Sequence, residues 1–322
     1  MRYVITGATG FVGAALVRAL RAEGAEVDAL VRTPSKATAL EQAGVRLVPG
    51  DLADVAALTE AARGADGLFH VAGWYKVGVR DRSDGERVNV EGTRSVLSAA
   101  RDAGVPRVVY TSTLAVNSDT RGQVVDETFR FTGEHVSIYD ETKARAHDVA
   151  AEFAEDGLPV VTVMPGMVYG PGDTSQVGEL TRDVVRGRRV AVPSGARLSW
   201  GYIDDIAHGH VLAMQHGRAG ESYMLAGPHA GLDEALRLAA RIAGTNGPIV
   251  IPGAAVRVTA SLVGLLERVV PIPATYTEEA LRSGSSSYLG TAEKAKRELG
   301  WTVRPLQEGM TQTVRALQTQ ES

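Results

Sequence analysis

The first half of the chain alternates short apolar runs with stretches in which apolar residues recur at helical spacing. A repeat of three to four residues predicts a helix, whereas a compact β-rich run bounded by turn residues predicts a strand. The predicted strands are 2–6, 27–31, 45–48, 67–71, 107–111 and 160–164, and the predicted helices are 11–23, 35–42, 54–62, 88–103 and 139–156. Strands separated by helices of this length imply a parallel sheet with helices on both faces.

Beyond about residue 166 the alternation becomes irregular, and prolines and glycines multiply. Strand-like runs cover 189–192 and 223–226, and helical patterns cover 206–215, 232–243, 256–269, 277–281 and 291–299. We therefore predict an α/β fold in which residues 1–165 form a doubly wound parallel sheet. Residues 166–322 are predicted to form a smaller α+β lobe that binds the substrate, with a segment near 190–215 returning to the first domain.

A glycine-rich turn stands directly between the first predicted strand and the first predicted helix. Its sequence, TGATGFVG at positions 6–13, places glycines at 7, 10 and 13. Gly7 would allow a tight turn, Gly10 would let a pyrophosphate approach the backbone, and Gly13 would let the helix pack closely. The helix N-terminus adds free N–H groups and a partial positive charge. The pattern predicts nucleotide binding in a Rossmann domain; the alternative is a purely structural turn.

The end of the second predicted strand bears on which dinucleotide binds. An acidic residue there would hydrogen-bond a ribose 2′-OH, whereas a basic residue would accommodate a 2′-phosphate. Asp28 stands too early in the strand, while Arg32 stands at its end and Lys36 follows four residues later. Because an arginine fork suits phosphate, NADP(H) is favoured over NAD(H), unless Arg32 is only a solvated surface residue. Asp51 is placed either to meet the adenine or to cap the next helix.

Two further patterns carry candidate chemistry. Tyr139 and Lys143 are spaced i and i+4, so on a helix they share a face. A nearby ammonium stabilises a phenolate and draws its pKa toward the working range, which suits a general acid/base. Upstream, Thr111, Ser112 and Thr113 end a predicted strand, where ligands bind in open α/β sheets. A hydroxyl there could stabilise a substrate carbonyl or alkoxide.

Composition narrows the classes of protein that remain. The 322 residues include no cysteine, which excludes disulfide scaffolds, zinc–thiolate sites, iron–sulfur clusters and thiol nucleophiles. The formal charge of -4 argues against non-specific binding to nucleic acid. The longest uncharged stretch, 157–172, is too short to span a membrane. The acidic and histidine residues at 204–210 fit a helix start, so we assign no metal. We expect a soluble, cytoplasmic protein.

These motifs together resemble the extended short-chain dehydrogenase/reductases, also called the NAD-dependent epimerase/dehydratase family. The resemblance covers nearly the whole chain and rests on TGATGFVG (6–13), GDL (50–52), FHVAG (69–73), VNVEGT (88–93), VVYTST (108–113), YDETK (139–143), PGMVYGPGD (165–173) and YIDDIAHGH (202–210). It implies Tyr139 as the general acid/base, Lys143 as its pKa tuner and ribose ligand, and Thr113 as the polarising hydroxyl, with Ser112 as a possible substitute. It also implies an Asn89 that is structural or part of a proton relay, and a homodimer through the two long helices.

The residues assigned to the cofactor are Gly7, Thr9, Gly10, Phe11, Val12, Arg32, Lys36, Asp51, Leu52, Val71, Ala72, Gly73, Thr111, Tyr139, Lys143, Pro165 and Val168. The aromatic and sulfur-containing candidates for an apolar pocket are Trp74, Tyr75, Met167, Tyr169 and Trp200, each of which could instead be core. His70 is interpreted as a cofactor-lining or core residue.

The sequence says least about which branch of the family, and hence which substrate, the chain represents. Sugar-nucleotide epimerases of this family commonly carry Asn where Met164 stands and an Arg where Leu198 stands, beside Arg197. The motif VRTPSK (31–36) resembles dihydroflavonol-reductase-like enzymes, whereas the stretch 71–93 resembles the hopanoid-associated epimerase branch. The leading hypothesis is an NADP(H)-dependent reductase or dehydrogenase acting on a carbonyl or alcohol of a small, relatively apolar molecule. The alternatives are a nucleotide-sugar epimerase or dehydratase with tightly bound NAD, and an NADP-sensing regulator.

Overall fold

The computed structural model describes residues 1–79, 81–253, 255–256, 263 and 277–319. Its strands are β1 (Arg2–Thr6), β2 (Glu26–Val31), β3 (Arg46–Pro49), β4 (Gly67–His70), β5 (Val108–Thr111), β6 (Val160–Pro165), β7 (Met167–Tyr169), β8 (Ala191–Pro193), β9 (Arg197–Tyr202), β10 (Ser222–Leu225), β11 (His229–Gly231) and β12 (Ile249–Ile251). Its helices are α1 (Phe11–Ala22), α2 (Thr38–Gln42), α3 (Val55–Ala62), α4 (Ser83–Gly85), α5 (Gly92–Asp102), α6 (Ile138–Glu155), α7 (Gln176–Val185), α8 (Ile203–His216), α9 (Leu232–Ala243), α10 (Glu278–Gly284), α11 (Glu293–Leu299) and α12 (Leu306–Thr319).

Seven parallel strands form the main sheet in the order β10-β6-β5-β4-β1-β2-β3. The chain reverses its direction of travel across the sheet between β1 and β4, where Thr6 pairs with His70. Ligands of open α/β sheets bind at such a reversal, outside the carboxyl ends of the strands. The predicted doubly wound parallel sheet is therefore confirmed, and its switch point lies at the glycine-rich turn.

Two helical layers cover the sheet. Helices α1 and α8 pack together on one face and α11 packs against α8, so that Leu16, Val211 and Leu299 join one buried cluster. Helices α3, α5 and α6 cover the other face through a second cluster that includes Leu97 and Val149. Alternate β1 side chains enter different clusters, as the two-residue period of a strand requires. Both faces of the sheet are thus closed to water except at its edges.

The remaining elements form a smaller lobe around two short sheets. Strands β11, β9 and β7 form one sheet and β12 and β8 the other, with α7, α9 and α12 packed against them. This agrees with the expected α+β lobe. No helix within the described ranges is long and apolar enough to cross a membrane.

The segment that returns from the lobe to the main sheet differs from the predicted one. Helix α8 packs on α1, and the next strand, β10, extends the main sheet by pairing in parallel with β6. The prediction that the run 223–226 belongs to the lobe is wrong, because Tyr223, Met224 and Leu225 are fully buried beside β6. The returning segment covers 203–225, rather than 190–215. The predicted helix 256–269 lies largely outside the described residues.

Candidate active site

The start of helix α6 fixes the predicted tyrosine and lysine in place. Ser137 is its N-cap and accepts a hydrogen bond from the Asp140 N–H. The Ser137 hydroxyl also donates to Asp140 Oδ1 at 2.8 Å, and the Tyr288 hydroxyl donates to Oδ2 at 3.0 Å. Burial raises the pKa of Asp140 to about 7. This anchored first turn carries Tyr139, and Lys143 lies one turn later on the same face.

Lys143 is held at the carboxyl end of β5. Its Nζ donates to the Thr111 carbonyl oxygen at 2.8 Å and to the Tyr110 hydroxyl at 3.1 Å, and it lies 4.8 Å from the centre of the Tyr110 ring. The residue is only 5% exposed. Burial lowers the pKa of Lys143 to about 7, because an ammonium loses its hydration there. Its third N–H is not used by any described residue, which leaves it free for a ligand.

Tyr139 lies one turn before this lysine on α6. Its ring meets the ring of Tyr75 edge-on, with centroids 4.8 Å apart, and its phenol is hydrogen-bonded to the side chain of Thr113. Burial raises the pKa of Tyr139 above its ordinary value, and the bond to Thr113 opposes that rise. The phenol is therefore protonated at neutral pH and can donate its proton.

The structure separates the two candidate polarising hydroxyls. Ser112 is buried, and its Oγ lies 2.9 Å from Nδ1 of His147, which follows Lys143 by one turn of α6. Thr113 instead interacts with Tyr139, one turn before Lys143, and its Oγ1 also accepts from the Ala115 N–H at 3.2 Å. Thr113, Tyr139 and Lys143 are thus brought together, whereas Ser112 is not.

The glycine-rich turn is closed on two sides by backbone. Gly7 has φ +78°, and a Cβ on it would lie 2.5 Å from the Ala72 N. A Cβ on Gly13 would overlap the Gly7 carbonyl oxygen, so this glycine allows α1 to sit on the turn. Gly10 is the N-cap of α1, and no side chain caps the helix there. The uncapped N–H groups and the missing side chains fit a pyrophosphate.

Of Asp28, Arg32 and Lys36, which lie on β2 or just after it, the first is buried in ion pairs and the other two are exposed to solvent. Asp28 is buried and paired with both Arg2 and Arg46, so its carboxylate is not available to a ribose. This pairing holds the pKa of Asp28 below its ordinary value, although burial alone would raise it. Arg32 and Lys36 are exposed, and neither forms an ion pair with the described residues. The strand end therefore presents two uncommitted cations.

Asp51 does not cap the helix that follows it. Its Oδ1 accepts from the Ala53 N–H at 3.1 Å, in a local turn. The N-cap of α3 is Asp54, which accepts from the Ala57 N–H at 3.0 Å. The capping alternative for Asp51 is wrong, because the N-cap position of α3 lies three residues later.

The other residues assigned to the cofactor lie near the same edge of the main sheet. Val71, Ala72 and Gly73 follow β4, and the backbone of Ala72 touches the turn. The remaining ones follow β3 (Leu52), end β5 and β6 (Thr111, Pro165), lie on β7 (Val168), or belong to the turn and the start of α1 (Thr9, Phe11, Val12). Most of these residues thus lie at or just after the carboxyl ends of the strands.

The five pocket candidates divide clearly. Trp200 and Tyr169 are buried in the core of the lobe, with ring centroids 5.6 Å apart, which agrees with the core alternative for both residues. Met167 packs against the same cluster, and Trp74 is buried. Tyr75 is 49% exposed and contacts Tyr139. It is the one of the five whose ring is observed in contact with Tyr139.

Asn89 has a structural role that the sequence left open. It lies in a π-helical segment, Glu86–Glu91, that leads into α5. Its Oδ1 accepts from the Trp74 N–H at 2.7 Å, and its Nδ2 donates to the Trp74 carbonyl and to Thr142 Oγ1. Asn89 therefore ties the loop after β4 to α6 between Tyr139 and Lys143.

The sequence reasoning missed several buried polar residues behind the site. His210 Nδ1 lies 2.8 Å from the Ile206 carbonyl, and its Nε2 lies 3.0 Å from Thr111 Oγ1, so this histidine supports the end of β5. Tyr110 was not singled out, although a polar residue inside an otherwise apolar strand is a signal for it. In the described ranges no group of three or more acidic or histidine side chains could hold a metal ion.

Comparison with known proteins gives a consistent result. A sequence model of the NAD dependent epimerase/dehydratase family matches residues 3–226. Sterol demethylase protein B of Methylococcus capsulatus is 35% identical over 307 residues, 93% of each chain. A putative dihydroflavonol 4-reductase of Synechocystis is 36% identical over 256 residues, 76% of this chain and 74% of the relative. The crystal structure of gox2253 is similar with a TM-score of 0.87 and 32% identity, over 99% of this chain and 98% of that one.

Proposed function

The chain belongs to the NAD dependent epimerase/dehydratase family, and we propose that it is an NADP(H)-dependent reductase or dehydrogenase that interconverts a carbonyl and an alcohol on a small, relatively apolar substrate. The observation that carries the proposal is the meeting of Thr113, Tyr139 and Lys143 at the end of β5, beside the glycine-rich turn. The two relatives are named for a sterol and a dihydroflavonol, which are largely apolar ring systems.

The residues of the site divide the reduction of a carbonyl between them. A bound dihydronicotinamide supplies the hydride that the carbonyl carbon takes up. Tyr139 donates its phenolic proton to the carbonyl oxygen, so the product is an alcohol. Thr113 hydrogen-bonds the same oxygen as negative charge develops on it, and the Lys143 ammonium stabilises the phenolate that remains. Oxidation of an alcohol reverses each of these transfers.

Two buried side chains argue against a nucleotide-sugar epimerase. Met164 and Leu198, which replace the expected Asn and Arg, lie in hydrophobic clusters and cannot contact a diphosphate. Arg197, beside Leu198, donates to the His229 carbonyl and lies 3.6 Å from Glu234. The purified protein separates the two functions, because an epimerase would retain NAD whereas a reductase releases cofactor at each turnover. Co-purified NAD together with sugar-nucleotide epimerisation would overturn the reductase proposal.

The uncommitted cations at the end of β2 support NADP(H). We expect Arg32→Glu to lower the ratio of kcat/KM with NADPH to kcat/KM with NADH about 100-fold, because it removes a charge-assisted bond and adds repulsion. Steady-state kinetics with each cofactor measures the ratio. Arg241→Glu, which changes an exposed arginine of α9, should leave it unchanged. An unaltered ratio in Arg32→Glu would exclude this arginine from the 2′-phosphate site.

The two hydroxyls have different partners, Tyr139 for Thr113 and His147 for Ser112, and this difference predicts different losses of activity. Thr113→Val should lower kcat for carbonyl reduction about 10²-fold, because the developing oxyanion loses one donor. Ser112→Ala should change kcat less than about threefold, since its hydroxyl faces His147. Turnover at saturating NADPH provides the comparison. A greater loss in Ser112→Ala would reverse the assignment.

A substrate screen that follows NADPH absorbance over ketones, aldehydes and flavonoid-like compounds tests the proposed reaction itself. The presence of Tyr139 and Lys143 argues against a purely NADP-sensing regulator. A cytoplasmic location and a homodimer through α5 and α6 remain predictions.

A further inference from the structure

A line of buried polar side chains runs from Lys143 across the sheet to the glycine-rich turn. Lys143 Nζ donates to the Tyr110 hydroxyl at 3.1 Å, the Thr93 side chain interacts with the same phenol, and the Tyr110 ring centre lies 5.6 Å from that of His70. Thr93 Oγ1 lies 3.0 Å from His70 Nε2, and His70 Nδ1 lies 2.8 Å from Thr6 Oγ1. All five residues are at most 5% exposed. The reaction described above uses only the first of them.

The direction of these hydrogen bonds is linked to the charge of Lys143. When the ammonium donates to Tyr110, the phenol proton is free to point to Thr93, and the Thr93 proton then points to His70 Nε2. Burial lowers the pKa of His70 to about 3, so the ring is neutral and carries a single proton. In this arrangement that proton is on Nδ1 and is donated to Thr6. A neutral Lys143 amine could accept from Tyr110 instead, which would reverse every bond and move the His70 proton to Nε2.

We propose that Tyr110, Thr93 and His70 are positioning residues that hold Lys143 as an ammonium through this directional chain of hydrogen bonds. A hydroxyl that donates its own proton is a stronger acceptor, so each bond in the chain strengthens the one before it. Tyr110 therefore accepts from the ammonium more strongly while Thr93 accepts from Tyr110. The proposal deepens the proposed function, because a charged Lys143 is what stabilises the Tyr139 phenolate.

The surroundings of Lys143 leave this chain as its main support. Burial opposes the ammonium, and no carboxylate of the described residues forms an ion pair with it. The titratable groups that act on it are Tyr110 of β5, His70 of β4 and His147 of α6, with Tyr139 acting on Tyr110. Neither histidine is charged at neutral pH, because burial lowers the pKa of His147 to about 4. The ammonium thus depends on neutral acceptors, which are Tyr110 and the Thr111 carbonyl.

The small number of lysines makes the charge of Lys143 directly measurable. Protein labelled with ¹³C at lysine Cε gives five signals, and the signal missing from Lys143→Met identifies Lys143. Its pH titration in the cofactor-free protein gives the pKa of the amine without any assay of activity. Failure of the chain is therefore distinguishable from failure of the proposed reductase function.

Three substitutions test the chain at different distances from the amine. Tyr110→Phe should lower the pKa of Lys143 by about one unit, because the ring remains and only the acceptor is lost. Thr93→Val should lower the pKa of Lys143 by about half a unit, although Thr93 forms no hydrogen bond with Lys143 itself. Thr93→Ser should have the wild-type pKa. Tyr223→Phe is the matched control, since Lys294 lies 4.8 Å from the Tyr223 ring, as Lys143 does from Tyr110.

The outcomes show whether the Lys143 ammonium is stabilised by the whole chain of hydrogen bonds or only by its direct contact with Tyr110. A lowered pKa in both Tyr110→Phe and Thr93→Val, its recovery in Thr93→Ser and an unchanged value in Tyr223→Phe support the proposal. A wild-type pKa in Thr93→Val, whatever Tyr110→Phe shows, would overturn it, because the ammonium would then depend on its direct neighbours alone. Dispersed signals from the other four lysines show in each variant that the protein is folded.

Discussion

Replacing Tyr139 by phenylalanine should lower kcat for carbonyl reduction about 10²–10⁴-fold, which is the usual contribution of a positioned general acid. The substitution removes only the phenolic oxygen. The ring can keep its edge-on contact with Tyr75, and α6 keeps its Ser137 cap. The carbonyl oxygen would then have to take its proton from water, while the hydride donor stays in place. Turnover of NADPH at saturating substrate measures the loss.

Two control measurements test whether the loss of activity is due to the Tyr139 phenol alone. NADPH affinity, measured by binding to the Tyr139→Phe protein, should stay within about threefold of wild type, because the turn and the end of β2 are untouched. Tyr75→Phe is the matched variant, since it removes the hydroxyl of the neighbouring ring, and its kcat should change less than about fivefold. If Tyr139→Phe keeps more than a tenth of the activity, the acid is another group and the proposed mechanism fails.

The main sheet was predictable because its signals are local. Strand β1 and helix α1 meet at glycines whose spacing marks the turn, and the start of α6 is marked by Ser137. The assignment of β10 failed for a physical reason. Its sequence predicts a strand, but its partner β6 lies about 60 residues earlier, and nothing local indicates that the chain returns to the sheet. Strands β7 and β11 were missed because each has only three residues, and β9 was missed because a serine and a glycine interrupt its apolar residues.

The residue types of the candidate site were predictable from the sequence, but the partners that their side chains contact were not. Residues 112 and 113 lie beyond the last residue of β5, so strand alternation no longer says which hydroxyl meets Tyr139 and which meets His147, both of which lie on α6. Tertiary contacts decide it, through His147 for Ser112 and Tyr139 for Thr113. For Trp200 both a core and a pocket position stayed open, because a buried aromatic ring and a pocket aromatic ring look alike in sequence.

Asp204 and Asp205 are adjacent in sequence, but their side chains have different surroundings and are expected to contribute differently to stability. We expect Asp205→Ala to lower the free energy of unfolding by about 2–4 kcal/mol. Asp205 is 13% exposed in its side chain and accepts from the Arg304 backbone N–H, Nε and Nη2 at 2.6–3.1 Å. The Arg304 guanidinium also stacks over Tyr202, 4.1 Å from the ring centre, so alanine would leave a largely buried cation without its partner. Asp204 is 58% exposed and lies 3.8 Å from an exposed Arg18, so Asp204→Ala should change stability by less than about 0.5 kcal/mol. Urea unfolding with a constant m-value provides both numbers, and equal losses in the two variants would contradict the difference in burial on which the prediction depends.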